Sequence, residues 1–161
     1  MKKLILLICI FVLLIAATGA VSADNPAPNS FTISGYTNSY DYKIVSNGRN
    51  TKFDLLAEGA STGDLQGPFT FEEWGSVDFN PETYQGSGNG TNNGMLTITN
   101  GNDSNSQVVI WFGGKSTLYT VAGTWKVVSG KGAWRDLEGR GEYTGDAGMV
   151  FSVTFTGEFN D

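Results

Sequence analysis

Hydrophobic and polar positions alternate most regularly over residues 122–159. Met149, Phe151, Val153, Phe155 and Phe159 share one parity, with Gly157 in the gap, and Ser152, Thr154, Thr156 and Glu158 share the other; Val150 is the exception. Successive side chains of a strand point to opposite faces, so this pattern predicts a final strand with one apolar and one wet face. A helix would scatter the same residues around its circumference. Just upstream, Trp125 and Val127 oppose Thr124 and Lys126, which predicts a second strand.

Between these strands lie Gly130, Gly132 and Gly139, with Trp134 and Leu137 separated by the spacing of one helical turn. The stretch 133–137 therefore reads as a short helical plug. It would lay Trp134 and Leu137 over one end of a sheet or barrel, where an indole buries much apolar area.

The earlier chain reads as further strands. Phe31 and Ile33 alternate with Thr32 and Ser34, and Tyr40, Tyr42 and Ile44 make a second strand before a hairpin signal at Asn47-Gly48. Phe53, Leu55 and Ala57 alternate with Lys52, Asp54 and Glu58, Leu56 breaking the pattern. Residues 80–94 (NPETYQGSGNGTNNG) read as a long polar loop or hairpin tip, 95–99 as a short strand, and 100–106 as a polar turn. Residues 107–112 (QVVIWF) are apolar on both parities, which predicts a strand covered on both faces, by core inside and by a partner or subunit outside.

Short, evenly spaced strands, glycine turns and no long amphipathic helix predict an all-β fold, an antiparallel sandwich or a closed barrel. The 22 glycines suit strands that bend sharply to close a small barrel.

Residues 1–23 stand apart. Lys2 and Lys3 precede an apolar run over 4–17, and Val21-Ser22-Ala23 offers a small-residue cleavage site, the pattern of a secretory signal peptide. An uncleaved anchor is the alternative. Cys9, the only cysteine, lies in that run. Residues 24–161 then form one domain, led by a loose proline-bearing segment (DNPAPN), secreted or held in the cell envelope, with no stable membrane insertion after cleavage.

Charge and missing residue types narrow the chemistry. A net charge of −6 repels phosphate, so nucleic acid is not an expected partner. Without histidine, and with its cysteine in the leader, the chain lacks the usual Ser-His-Asp and Cys-His catalytic sets and the usual zinc and copper ligands. No cofactor is implied. Asp64, Asp78 and Asn102-Asp103 are possible calcium ligands but lack the spacing of an EF-hand loop, and read as solvated turns. Asn89-Gly-Thr91 and Asn102-Asp-Ser104 are glycosylation sequons in expected loops.

One residue breaks its pattern. Phe69, Phe71, Glu73, Val77 and Phe79 share a parity, which puts Glu73 among inward apolar neighbours. A carboxylate there would have a raised pKa and suit general acid–base work. The alternatives are a bulge at Trp74-Gly75 that turns it outward, or an ion pair with Arg135 or Arg140. Trp111, Trp125, Tyr42 and Phe155 are the candidate lining of a ligand cavity, or simply the filling of a packed barrel.

The run Gly123-Thr-Trp-Lys-Val-Val-Ser-Gly-Lys-Gly-Ala-Trp-Arg-Asp-Leu-Glu-Gly-Arg-Gly-Glu-Tyr-Thr-Gly145, followed by 151–159, resembles the closing half of the allene oxide cyclase-like barrels, whose architecture dirigent proteins share. The shared features are the Gly130-Lys-Gly132 turn with Trp134, the glycine pair Gly139 and Gly141, and the final apolar strand. Residues 58–71 (EGASTGDLQGPFTF) are similar to the first-half turn of secreted members. The resemblance implies an antiparallel barrel of about eight strands with a plug, often oligomeric and often enclosing an apolar cavity. It carries no catalytic residue over to this chain.

Three functions follow as expectations. The first is a secreted, non-catalytic barrel that binds a small hydrophobic molecule or a surface protein, with Trp111 and its neighbours as the contact face. The second is a cavity isomerase or cyclase using Glu73. The third is a structural envelope or matrix component.

Overall fold

The computed structural model describes residues 29–45 and 50–160. The expected signal peptide with Cys9, most of the loose leader and the Asn47-Gly48 turn lie outside the described residues. Eight strands follow in order: β1 (Asn29–Val45), β2 (Asn50–Gly63), β3 (Gly67–Asn80), β4 (Gln85–Asn100), β5 (Asp103–Ser116), β6 (Thr120–Lys131), β7 (Glu138–Asp146) and β8 (Val150–Asn160). Each pairs antiparallel with the next, and β1 pairs with β8, so the sheet closes on itself as a barrel. Alternation alone fits a sandwich or a barrel, and the closed ring of eight antiparallel strands agrees with the barrel that the resemblance implies.

Several boundaries differ from those the sequence suggested. The stretch read as two strands before residue 45 is the single strand β1. A register shift between Thr37 and Ser39 carries it across the polar break, so that Tyr40 falls on the inner face beyond the shift. Residues 80–94 are not a long loop: the turn spans only the residues between β3 and β4, and Gln85 onward is strand. Its asparagines and glycines have low strand propensity, but hydrogen bonding to β3 and β5 overrides it. Gly94 shows why a glycine serves here, since a Cβ at that position would collide with the Phe112 ring. The plug is a single turn of 3-10 helix, Gly132–Trp134, one residue earlier and tighter than expected. Trp134 and Leu137 are half-buried against the core.

The two ends of the barrel differ. At the plug end, aromatic rings fill the interior: Phe31 stacks on Phe155 at 4.7 Å, and Trp125 meets Phe31 edge-on at 5.9 Å. The buried Trp125 Nε1–H donates to the Glu142 and Thr156 carbonyls, both at 3.1 Å, so its one polar atom is satisfied. Phe31, Ile33, Leu96, Ile98, Val108 and Ile110 are almost wholly buried, each stabilising the fold by about 2 kcal/mol. At the other end, β1 beyond Tyr36 pairs only with β2, and β4 before Gly90 only with β3. The β1–β4 side therefore stands taller than the rim made by the β5–β6 and β7–β8 turns. These turns are tied together by the Ala147 N–H donating to the Tyr119 carbonyl at 2.8 Å, and to β1 by the Thr37 N–H donating to the Met149 carbonyl at 2.9 Å.

Candidate functional site

Glu73 sits on β3 opposite Leu55 of β2 and Gly94 of β4. The alternation of β3 runs unbroken through Trp74 and Gly75, and the register shift falls later, between Val77 and Phe79. The Glu73 side chain therefore follows Phe69 and Phe71 inward and is 9% exposed. Arg140 is on the outer face, opposite Lys126 and Glu158, and Arg135 lies beside the plug at the far end. Neither alternative to an inward Glu73, bulge or arginine pair, is what the geometry shows.

Two further polar side chains meet it. Asn92, 1% exposed, is on β4 opposite Gly75, and Tyr143, 3% exposed, is on β7. The Tyr143 hydroxyl donates to Asn92 Oδ1 at 3.1 Å. The Asn92 amide in turn donates to the Glu73 carboxylate. Burial pushes Glu73 up to about 7, and the Asn92 bond only partly opposes this. Burial also pushes Tyr143 up to about 12, with its bond to Asn92 opposing and the Glu73 charge adding. Tyr40, held mainly by burial and then by Tyr42 and Glu73, is raised too.

These groups face a cavity of about 260 Å³. Phe53, Leu55, Phe71, Phe112, Phe151 and Val153 are among its apolar walls, and Phe155 separates it from the packed rings below. Tyr40, Thr117, Leu118, Asp146 and Met149 surround the mouth, where Leu118 and Met149 are exposed. A chamber sealed by stacked rings at one end and open at the other suits an apolar guest. A carboxyl group that titrates near neutrality can donate or accept one hydrogen bond there, or exchange a proton with a guest.

Of the residues singled out in the sequence, Glu73 and Phe155 line this cavity. Trp125 is buried beneath it, among the rings of the plug end. Tyr42 is on the tall side of the mouth, 6.1 Å from the Tyr40 ring and exposed. Trp111 is on the outer face of β5, opposite Met95 and Lys126, with the Lys126 ammonium 5.8 Å from its ring centre. The possible calcium ligands accept hydrogen bonds from the chain: Asp64 from the Ser30 N–H of β1, Asp78 from Ser87, and Asp103 from Ser106 and the Asn105 N–H.

The sequence alone does not single out Asn92, Tyr143 or Tyr40 as site residues. For Asn92 the signal was present but masked: Gly90, Asn92, Gly94, Leu96 and Ile98 share one parity. Tyr143 likewise stands between Gly141 and Gly145 on the inward parity of β7.

No protein-family model matches this chain, and a search of curated proteins finds none similar to it.

Proposed function

We propose that this protein is a secreted barrel that binds a small apolar molecule without transforming it. The observation that carries this reading is the one-ended cavity of about 260 Å³ behind an exposed apolar rim. Its volume is at the small end of ligand pockets, which favours a compact guest over a long lipid. The closed eight-strand ring, the plug and the cavity support kinship with allene oxide cyclase-like and dirigent-like barrels. The leader-like residues 1–23 support release to the cell envelope or exterior. Trp111 and Met95 on the outer face offer a contact for a second subunit or a surface protein.

Native mass spectrometry of the protein, purified gently from its own cells, tests the reading. A discrete extra mass of a few hundred daltons that is lost on denaturation is the expected result. A bare polypeptide mass, with no uptake of apolar probes, would overturn it.

A second reading, a cavity isomerase, is favoured by one observation: Glu73, Asn92 and Tyr143 converge in the same chamber. In that case Glu73 moves a proton between two positions of the guest, and Glu73→Gln abolishes turnover while leaving the guest bound.

A further inference from the structure

We infer that the guest of this cavity is an apolar amine whose ammonium head pairs with the Glu73 carboxylate. The inference rests on the ligand-binding reading above and narrows it to a chemical class.

The charges around the cavity are of one sign. Among the described residues that line it, Glu73 and Asp146 are the acids, none is lysine or arginine, and the chain has no histidine. An anionic guest such as a fatty acid would bring a second negative charge beside a buried carboxylate, where the low dielectric magnifies repulsion. Beside a neutral guest Glu73 can keep its proton and offers only a hydrogen bond, so the buried acid selects such a guest weakly. An ammonium supplies a counter-charge and three donors for the carboxylate positions that Asn92 leaves free. The walls act in the same direction, since Tyr40, Phe53, Phe112, Tyr143 and Phe155 can present ring faces that attract a cation. Asn92, fixed by Tyr143, holds the carboxylate in place for the guest.

Binding is then linked to a proton. At neutral pH Glu73 is partly protonated, and pairing with an ammonium expels that proton to solvent. The titratable groups facing Glu73 are Tyr40 from β1 and Tyr143 and Asp146 from β7, whereas β2 and β4 present Leu55, Gly94 and Asn92. Asp41, Asp54 and Glu72 lie on the outer face of the same wall.

The experiment is calorimetric titration of the protein with three probes that share one tail: octylamine, octan-1-ol and octanoate. At pH 8, octylamine is expected to bind at least about tenfold more tightly than octanol, and octanoate more weakly than either. Below pH 7 the amine affinity falls by about tenfold per pH unit while that of octanol stays level. Glu73→Gln removes the amine's advantage, and Asp54→Asn on the outer face of the barrel preserves it. Should Glu73→Gln fail to fold, the pH series on the unaltered protein decides alone. If octanol or octanoate binds as tightly as the amine, or the amine affinity is flat from pH 5 to 8, the inference falls and the ligand-binding reading stands. If none of the three binds, both fall.

Discussion

The Tyr143 hydroxyl reaches across the barrel to Asn92, donating to its Oδ1 at 3.1 Å. The two residues are 51 apart in sequence and sit on strands, β7 and β4, that are not neighbours in the ring. This bond fixes the Asn92 amide so that its N–H groups point toward Glu73. A single buried asparagine thus couples the barrel's two halves and tempers the effect of burial on Glu73, the one buried carboxyl group among the described residues.

Replacing Asn92 by leucine removes both bonds and leaves the Tyr143 hydroxyl and the Glu73 carboxyl without partners. The expected cost is about 2 kcal/mol of folding stability, read from urea unfolding. The same variant should raise the Glu73 pKa above its value of about 7, because the Asn92 bond is what lowers it. A carboxyl-carbon NMR titration reads this directly, and a midpoint that stays where it was would refute the coupling.

Glu73 also gives the fold a specific pH dependence. Its pKa rises from 4.5 to about 7 on burial, so between these values the folded state holds a proton that the unfolded state has lost. An acid raised in this way favours folding at low pH. Its contribution declines as pH climbs from 4.5 through 7 and is level above. The total swing is on the order of 3 kcal/mol. The difference in unfolding free energy between Glu73→Gln and the unaltered protein should therefore be small near pH 4 and grow in favour of the variant up to pH 8. A difference that is constant with pH would mean that Glu73 is not buried as the structure has it.

Alternation alone made much of this legible. The inward set of β8, the exception at Leu56 and the inward Glu73 all follow from period two, because one face of each strand meets the core. The failures came where composition outweighed period. Residues 80–94 look like a loop because asparagine and glycine are poor strand formers, yet pairing on both sides imposes strand, and the narrow interior needs a glycine beneath Phe112. Asn92 was lost from view with that stretch. Tyr42 and Trp111 looked like cavity residues because they are aromatic, but nothing local to either could show that one stands beyond the rim and the other faces out beneath Lys126.

Two glycines on β4 and in the turn that follows test that account of the strand. At Gly94 an added methyl group meets both the Phe112 ring and the Glu72 carbonyl, whereas at Gly101 the nearest atom is 3.6 Å away. Gly94→Ala is expected to cost about 2–3 kcal/mol, the usual scale of core overpacking. Gly101→Ala should cost less than about 0.5 kcal/mol. Thermal unfolding of the pair separates a packing requirement at Gly94 from a general cost of losing glycine. Equal effects would count against the tight Phe112 contact.

Filling the chamber tests whether its emptiness is what the protein uses. Val121 lines the cavity from β6, opposite Ser116 and Gly145, with no charged group beside it in either register. Val121→Phe would put a ring into space that the unliganded protein leaves open, burying apolar area without stranding a polar group. Such a change typically adds about 0.5–2 kcal/mol of stability when the void is real. The variant should therefore unfold at the same temperature as the parent or higher, and it should lose the retained mass seen by native mass spectrometry. A stable variant that still carries the mass would move the guest out of the chamber and toward the outer face around Trp111. A destabilised variant would mean that the walls already close on one another in solution. Stability and binding thus move in opposite directions only if the space above Phe155 is kept open for a guest.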